Sequence, residues 1–487
     1  MFQTGDSKSR VRPHAALDVR LLSRDHRAHG WWLFVFSLWL GFGGSPIGSQ
    51  VVRAEGPAPA TGALKDFALT KDTAYRYELV DQGRIGESRW VRLHMVSQHW
   101  KGTDWKHVVW ILVPNQAIEN PEAKASQSAL LLIGGGNWKK EWGEAPPATL
   151  EPKGEMLILK TIAEASGSPA VAISQVPFQP MLNNLNEDAL IAESFKRFIQ
   201  EEGDDWPLLM PMVRSAVRAM DTAQTFSREQ WNLNIQSFTL TGASKRGWTT
   251  WLTSAVDPRV QALAPMVIDM LNMPVQMKHQ METWGAYSDE IADYTNLSLQ
   301  KYLQTPQGDK LVRIVDPYRY RDRLLQPKLL IFGTNDRYWP LDACNKYWDD
   351  LRGDKYLLYT PNQGHGIQDV ARLAGTIHAL HRSRNGDFAL PKLQWKNESA
   401  DGKVSLQLES DLVPDEVSIW IAKSKTRDFR DASWNSIAAS EIDATNHRGI
   451  LDIPKDQYLA AFGEWVFELG EYPAYFSTNV ILVEPNP

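Results

Sequence analysis

Apolar positions along the chain change rhythm, and each rhythm predicts a different kind of element. From about residue 107 to 385 they come as short runs, apolar or β-branched throughout: 129–133 (ALLLI), 169–176 (PAVAISQV), 238–241 (FTLT), 260–268, 328–332 (KLLIF) and 355–359 (KYLLY). Runs of this kind are expected of strands buried on both faces of a parallel sheet. Between them, apolar residues recur at helical spacing over 154–165, 208–226, 248–255 and 367–381, and Asp257-Pro258 stops the third of these. Strands alternating with helices predict a doubly wound, mostly parallel sheet.

The flanks read differently. Strand-like segments at 74–79, 88–97 and 107–113 precede the buried runs, and the last alternates and stops at Pro114, as a sheet edge often does. Aromatic residues crowd Ser97-Gln98-His99-Trp100 and Trp105-Lys106-His107, a density that reads first as cross-strand ring packing. Residues 391–487 carry short alternating strands at 404–408, 417–421, 463–469 and 478–483 between Gly, Pro and Asp/Asn turns. That pattern predicts a small all-β, sandwich-like domain with a structural or interaction role. Two stretches interrupt the main domain, 74–390. Residues 177–205 hold the acidic pair Glu187-Asp188 and a helix through 189–199. Residues 269–322, rich in Met, Tyr, Asp and Gln, predict a mostly helical, lid-like insertion.

Residues 1–54 read as a targeting segment. Six basic residues lie within 1–30 (Lys8, Arg10, Arg12, Arg20, Arg24, Arg27), and an apolar run at 31–42 and the small-residue site Val52-Arg53-Ala54 follow. This is the layout of a signal peptide cleaved after Ala54, with export to a periplasm or beyond and no stable membrane span afterwards. The run is short for a bilayer crossing, which leaves an uncleaved anchor as the alternative. Residues 55–73, opening with EGPAPATGALK, read as a mobile N-terminus. A net charge of −6 argues against a nucleic-acid binder. The one cysteine, Cys344, excludes an intrachain disulfide, and the 11 histidines are scattered without the spacing of a zinc site. Neither metal nor cofactor is expected. Tryptophan is the outlier, with 20 residues, enough to supply a cleft as well as a core.

Chemistry concentrates where the buried runs end. Phe238–Gly247 reads FTLTGASKRG, a strand meeting a helix at Gly242-Ala243-Ser244. A serine on so tight a strand-to-helix turn presents its hydroxyl clear of the sheet, and the helix start offers backbone N–H groups to developing negative charge. The run 328–332 leads into Gly333-Thr334-Asn335-Asp336, and 355–359 into Pro361-Asn362-Gln363-Gly364-His365-Gly366. Ser244, Asp336 and His365 therefore occur in the serine–acid–histidine order of α/β-hydrolases. A serine needs a base within hydrogen-bond reach, and histidine, with an ordinary pKa of about 6.5, can take and return that proton near neutrality. The acid would hold the imidazole tautomer. Asp342 is a rival for that place, and Asp336 alone also reads as a turn residue. The 129–133 run ends in Gly134-Gly135-Gly136-Asn137-Trp138. This is either a plain turn or the loop that, with the Lys245 N–H, lines an oxyanion hole through Gly135 and Gly136.

Longer stretches make the family recognisable: SQHW with WKHVVWILVP, then ISQVPFQP, WPLLMPMVRSAVRAMD, TGASKRGWTTWLTSAVDPRVQALAPMVIDMLN, VDPYRYRDRL, GTNDRYWPLD and PNQGHG. In this order, across roughly residues 75–370, they resemble the PhoPQ-activated pathogenicity-related protein family, a group of exported α/β-hydrolase-like proteins. The resemblance implies that fold and places serine, acid and histidine on Ser244, Asp336 and His365. Phe178 departs from the family, which more often has Asn before Gln-Pro. The basic pair after the serine is the other peculiarity: Arg246 stands where the common elbow has glycine. A similar G-x-S-basic-x-G elbow occurs in glucuronoyl esterases, where an arginine beside the serine helps hold charge. Lys245 or Arg246 would then face an anionic substrate group or the oxyanion, or else Arg246 pairs with a carboxylate that supports the turn.

The resulting expectation is an exported serine hydrolase working through an acyl-enzyme on a small-molecule or peptide substrate. An esterase acting on a carbohydrate or other polar ester is favoured, with Trp138, Tyr338 and Trp339 as an aromatic wall. A dipeptidyl-peptidase-like enzyme, with Glu187 and Asp188 clamping a substrate amine, is the alternative. A secreted signalling or binding protein that keeps the fold without turnover is the third reading.

Overall fold

The computed structural model describes residues 61–139, 142 and 152–486, so the leader expected over 1–54 lies outside the described residues. Strands β1 (Arg76–Ile85), β2 (Ser88–Trp100) and β3 (Thr103–Pro114) form an antiparallel meander. Next come β4 (Ser128–Ile133), β5 (Ala170–Ile173), β6 (Ser237–Ala243), β7 (Val260–Met266), β8 (Lys328–Gly333) and β9 (Lys355–Thr360). Spatially they run β1-β2-β3-β5-β4-β6-β7-β8-β9, with β5 antiparallel to β3 and every later pair through β9 parallel. This is the doubly wound, mostly parallel sheet of the α/β-hydrolase fold. β4, β6 and β8 bury nearly every residue, the reason their sequences read as unbroken apolar runs.

Each face has its own core. One is packed by the helices Leu209–Trp231, Lys245–Val256 and Glu187–Ile199, and the other by Glu155–Ser166 and Val370–Asn385. Residues 61–69, read as part of a mobile N-terminus, form the helix Thr61–Leu69, because Leu64 and Ala68 bury against the first core. Its final carbonyls are satisfied by arginines of the long helix: Arg214 Nε donates to Phe67 O (2.8 Å) and Arg218 Nη2 to Leu69 O (2.9 Å).

The C-terminal β region comprises β10 (Leu393–Ala400), β11 (Lys403–Ser410), β12 (Glu416–Ser424), β13 (Asn435–Ala438), β14 (Ser440–Asp443), β15 (Asn446–Asp452), β16 (Tyr458–Glu468), β17 (Pro473–Ser477) and β18 (Ile481–Val483). β17 pairs antiparallel with β9 at Ser477 and Leu357, so β17, β16, β12 and β13 prolong the central sheet. A four-stranded sheet, β10-β11-β15-β14, covers them, with Leu406 and Leu408 packed among Ile419 and Trp465. The insertion after β7 is helical, as its composition predicts, with Met273–Trp284 and Pro306–Val315 as its longer helices.

The aromatic-rich hairpin of β2 and β3 does two things. Trp100 packs edge-on against Trp105 and Trp206, as cross-strand density implies. His107 serves polar satisfaction instead. Its Nδ1 donates to Ser174 O (3.0 Å), which leaves Nε2 to accept from Ser97 Oγ (2.9 Å), and Ser97 touches Ser215 of the long helix. One buried imidazole thus joins β2, β3 and the chain leaving β5. Burial pushes His107 down to about 4 although the Ser174 carbonyl pulls upward, and burial holds His381 down at about 3. Both stay neutral in the fold while the unfolded chain protonates them near pH 6.5, so their stabilisation is complete above that pH and declines as pH falls towards 4. Urea unfolding at pH 7 and pH 5 is expected to show that loss. His107→Phe, which leaves the buried Ser174 carbonyl without its donor, is expected to cost about 2 kcal/mol at pH 7 and to flatten the pH slope.

Candidate active site

β6 ends in a turn under backbone strain. Ser244 adopts φ 58° and ψ −127°, a region that costs roughly 1–3 kcal/mol for a non-glycine residue. Its N–H is anchored on Met266 O (2.8 Å) at the end of β7. Gly242 is required here, since a Cβ would come within 2.8 Å of the Arg246 carbonyl. The helix Lys245–Val256 begins immediately, so the Lys245 N–H belongs to the first turn and has no intrahelical acceptor.

The other two candidates come from the turns after β8 and β9. Asp336 Oδ2 accepts from His365 Nδ1 (2.8 Å), and its Oδ1 accepts the Tyr338 N–H (3.0 Å). The turns are tied together: Asn335 N–H donates to Gln363 O (2.9 Å) and Asn362 N–H to Thr334 Oγ1 (2.9 Å). The Tyr338 ring stacks on the imidazole with centroids 4.1 Å apart. His365 Nε2 is buried without a hydrogen-bond partner among the described residues, and His365 lines the same cavity as Ser244. With Nδ1 committed to a carboxylate, Nε2 is the nitrogen left to exchange a proton in that cavity. Asp342, the rival acid, accepts instead from His279 Nε2 (2.6 Å), a buried histidine of the insertion that sequence reasoning did not single out.

The basic pair is fully occupied by the acidic one. Arg246 donates in bidentate fashion to Glu187 Oε2 and Oε1 (2.7 and 2.6 Å) and through Nε to Val176 O (2.6 Å). Lys245 Nζ lies 3.0 Å from Glu187 and 2.8 Å from Asp188, whose other oxygen accepts from Tyr294 Oη (2.9 Å). Gln179, the residue after the departing Phe178, brackets the same carboxylate: its Nε2 donates to Glu187 Oε1 (2.6 Å) and its Oε1 accepts the Glu187 N–H (2.8 Å). Burial raises the Glu187 carboxyl, but the Arg246 bonds and the Arg246 and Lys245 charges outweigh it and bring the value down to about 2.

The glycine loop sits on this cluster. A Cβ at Gly135 would lie 2.3 Å from Arg246 Nη2, so only glycine lets the guanidinium slide beneath the loop. The carbonyls of Gly134 and Gly135 accept from Val176 N–H and Gln175 N–H (3.1 and 2.9 Å), while Gly136 is exposed with φ 97°.

Of the expected aromatic wall, Tyr338 and Trp339 line the cavity together with Asp188, Lys245, Ser244 and His365. Trp138 lies elsewhere: its ring meets His94 edge-on (4.9 Å), with the Lys106 ammonium 6.0 Å from it. Asp269, just beyond β7, carries an apolar-looking context in sequence and was not anticipated. It is buried, accepts from Tyr347 Oη (2.6 Å), and burial pushes its carboxyl up to about 8.

A serine on a strained elbow, an acid–histidine pair opening on the same cavity and the sheet order above define an α/β-hydrolase-fold protein. The chain belongs to the PhoPQ-activated pathogenicity-related protein family, whose pattern matches residues 64–430. It is 29% identical over 392 residues to autocrine proliferation repressor protein A of Dictyostelium discoideum, covering 75% of this chain and 76% of that protein. Among solved structures, acetyl xylan esterase 1 from Thermoanaerobacterium sp. JW/SL YS485 aligns with 67% of this chain and 95% of its own (TM-score 0.44, 14% identity). A glucuronoyl esterase from Solibacter usitatus aligns with 66% of this chain and 92% of its own (TM-score 0.37, 10% identity).

Two substitutions test the electrostatics around the elbow. Arg246→Ala is expected to lower stability by about 2 kcal/mol in thermal melts, and Arg246→Lys to recover only part of it, because an ammonium cannot form the two-pronged contact. Asp269→Asn behaves differently. The native fold holds this proton up to about pH 8, whereas the unfolded chain releases it near pH 4, so wild-type stability falls across that window. The variant, free of that titration, is expected to gain on wild type in melting temperature as pH rises from 4 to 8.

Proposed function

We propose that the protein is an exported serine hydrolase that cleaves an ester through an acyl-enzyme. The observation that carries this reading is the Asp336–His365 hydrogen bond, with His365 Nε2 unpartnered beside the cavity it shares with Ser244. His365 Nε2 takes the proton of Ser244 as Oγ attacks the ester carbonyl, and returns it to the departing alkoxide oxygen as the ester C–O bond breaks. Water then attacks the acyl-enzyme, gives one proton to His365, and Ser244 regains it as the acid leaves. The oxyanion is held by the Lys245 N–H and by an N–H of Gly135 or Gly136. Each such donor is worth about 3 kcal/mol of barrier. Lys245 and Arg246 act through structure: with both side chains paired to Glu187 and Asp188, they seat the elbow against the glycine loop.

The same pairing supports an esterase over a dipeptidyl peptidase. A substrate amine would have to displace Lys245 or Arg246 from the two carboxylates that were candidates to bind it. The reading of the substrate as a carbohydrate or other polar ester rests on the likeness of the Gly-x-Ser-basic-x-Gly elbow to that of glucuronoyl esterases. Export rests on the leader-like residues 1–54. A second reading, a secreted signalling protein without turnover, is favoured by one observation, the name of the Dictyostelium relative, a proliferation repressor.

A fluorophosphonate probe decides between turnover and its absence. Wild-type protein is expected to label at Ser244 and the Ser244→Ala protein to remain unlabelled; a folded wild type that does not react contradicts the hydrolase reading.

A further inference from the structure

A groove of about 510 Å³ lies where the α/β core meets the C-terminal β region, within the range of roughly 300–1,000 Å³ common to small-molecule sites. It is lined by the short helical turns Ala343–Lys346 and Trp348–Asp350 between β8 and β9, by β10, and by residues 479–481 at the start of β18. None of its lining residues is shared with the cavity beside Ser244 and His365. Trp395 of β10 is half-buried in the wall, with the buried Trp348 5.9 Å away and the fully buried Trp465 6.3 Å away between ring centroids. Two ring neighbours thus fix its plane while part of the indole stays exposed. Side-chain amides stand around it. Asn479 Nδ2 donates to Asn345 Oδ1 (2.8 Å) and Asn345 Nδ2 to Val480 O (2.8 Å), which fixes both amides in place. Gln394 and Asn397 are exposed, and their amides have no partner among the described residues.

The lining selects the chemistry of an occupant. Among the described residues no lysine or arginine lines the groove, and Asp349 is its ionised group. Lys355, next to it, is committed to Trp348: its Nζ donates to Trp348 O (2.5 Å) and lies 4.8 Å from the ring centroid. An anion would therefore meet a carboxylate without a compensating cation, and an apolar chain would bury Gln394 and Asn397 unpaired. A sugar ring meets both demands. Its C–H face packs on an indole, and each of its hydroxyls both donates and accepts. One amide matches a vicinal pair of hydroxyls, its oxygen accepting from one and its NH₂ donating to the other. We propose that this groove binds a neutral oligosaccharide, so that the C-terminal β region helps hold a glycan at a place separate from Ser244. Binding there requires no turnover at Ser244, so it stands or falls independently of the hydrolase reading.

Calorimetry on the wild-type protein with xylotetraose, cellotetraose, laminaritetraose and maltotetraose tests the assignment, with tetragalacturonate as an anionic probe of the same length. At least one neutral tetrasaccharide is expected to bind, and tetragalacturonate to bind more weakly than it. Gln394→Ala and Asn479→Ala, which remove one amide each from different segments of the groove, are each expected to weaken the bound sugar about fivefold, the worth of one neutral hydrogen bond. The double variant Gln394→Ala/Asn397→Ala removes two exposed amides without side-chain partners, so it is expected to keep the wild-type melting temperature and to lose about tenfold or more in affinity. Absence of binding by all four neutral sugars overturns the proposal. So does tighter binding of tetragalacturonate, and so does wild-type affinity in the folded double variant, which would place the sugar elsewhere on the molecule.

Discussion

The bidentate contact between Arg246 and Glu187 is the constraint on which the site's geometry depends. It joins the first turn of the elbow helix to the start of the helix Glu187–Ile199, and through Nε it takes the Val176 carbonyl at the exit from β5. The guanidinium occupies the space under Gly135, so the glycine loop after β4 rests on it. Three strand exits, after β4, β5 and β6, are thereby held to one another by a single side chain. Neutralisation is local, since Lys245, Glu187 and Asp188 complete the cluster. A paired, partly buried cluster of this kind stabilises little by itself. Its consequence is positional: the peptide N–H groups that would face an oxyanion are held by the same group of contacts that holds the serine.

A second set of contacts explains why the C-terminal β region belongs with the site although it contributes no reactive group. Asn335, beside the acid, donates to Ala432 O (2.7 Å), and Asn362, in the histidine turn, donates to Trp434 O (3.0 Å) and accepts the Trp434 N–H (2.8 Å). Both turns are short and lie at strand ends, where little else packs against their backbone. The segment 430–434 supplies that packing. On the opposite side the insertion does the same, with Gln280 donating to Tyr338 O (2.9 Å) and Ser288 Oγ to Arg337 O (2.7 Å). The acid turn is therefore held between the insertion and the C-terminal β region, and the histidine turn is tied to the latter.

The insertion both lines the cavity and holds the turn that carries Asp336. Helix Met273–Trp284 brings Met277 to the cavity wall, while His279 and Gln280 of the same helix hold Asp342 and the Tyr338 carbonyl. An insertion that lines the cavity thus also supports the loop carrying Asp336, so packing in the cavity and the placement of Asp336 are mechanically linked.

The sequence by itself determined the strands and the points where they end. ALLLI, FTLT, KLLIF and KYLLY had to be buried on both faces, and glycine-rich turns after them could only be exits from a parallel sheet. Ser244, Asp336 and His365 were legible for the same reason, because each directly follows such a run. Local pattern carries no information about partners distant in the chain. That Asp342 pairs with His279 and leaves Asp336 to His365, that Arg246 meets Glu187 across 59 positions, and that Trp138 turns towards His94 and away from Ser244 were decided by tertiary packing. The helix Thr61–Leu69 belongs to this second group: its composition reads as mobile, and it is ordered because Arg214 and Arg218 satisfy its carbonyls and a core accepts Leu64 and Ala68. The apolar floor beneath Ser244 was the least legible feature. Its residues come from helices and loops between positions 195 and 339, each unremarkable alone, and only the fold brings them round one space.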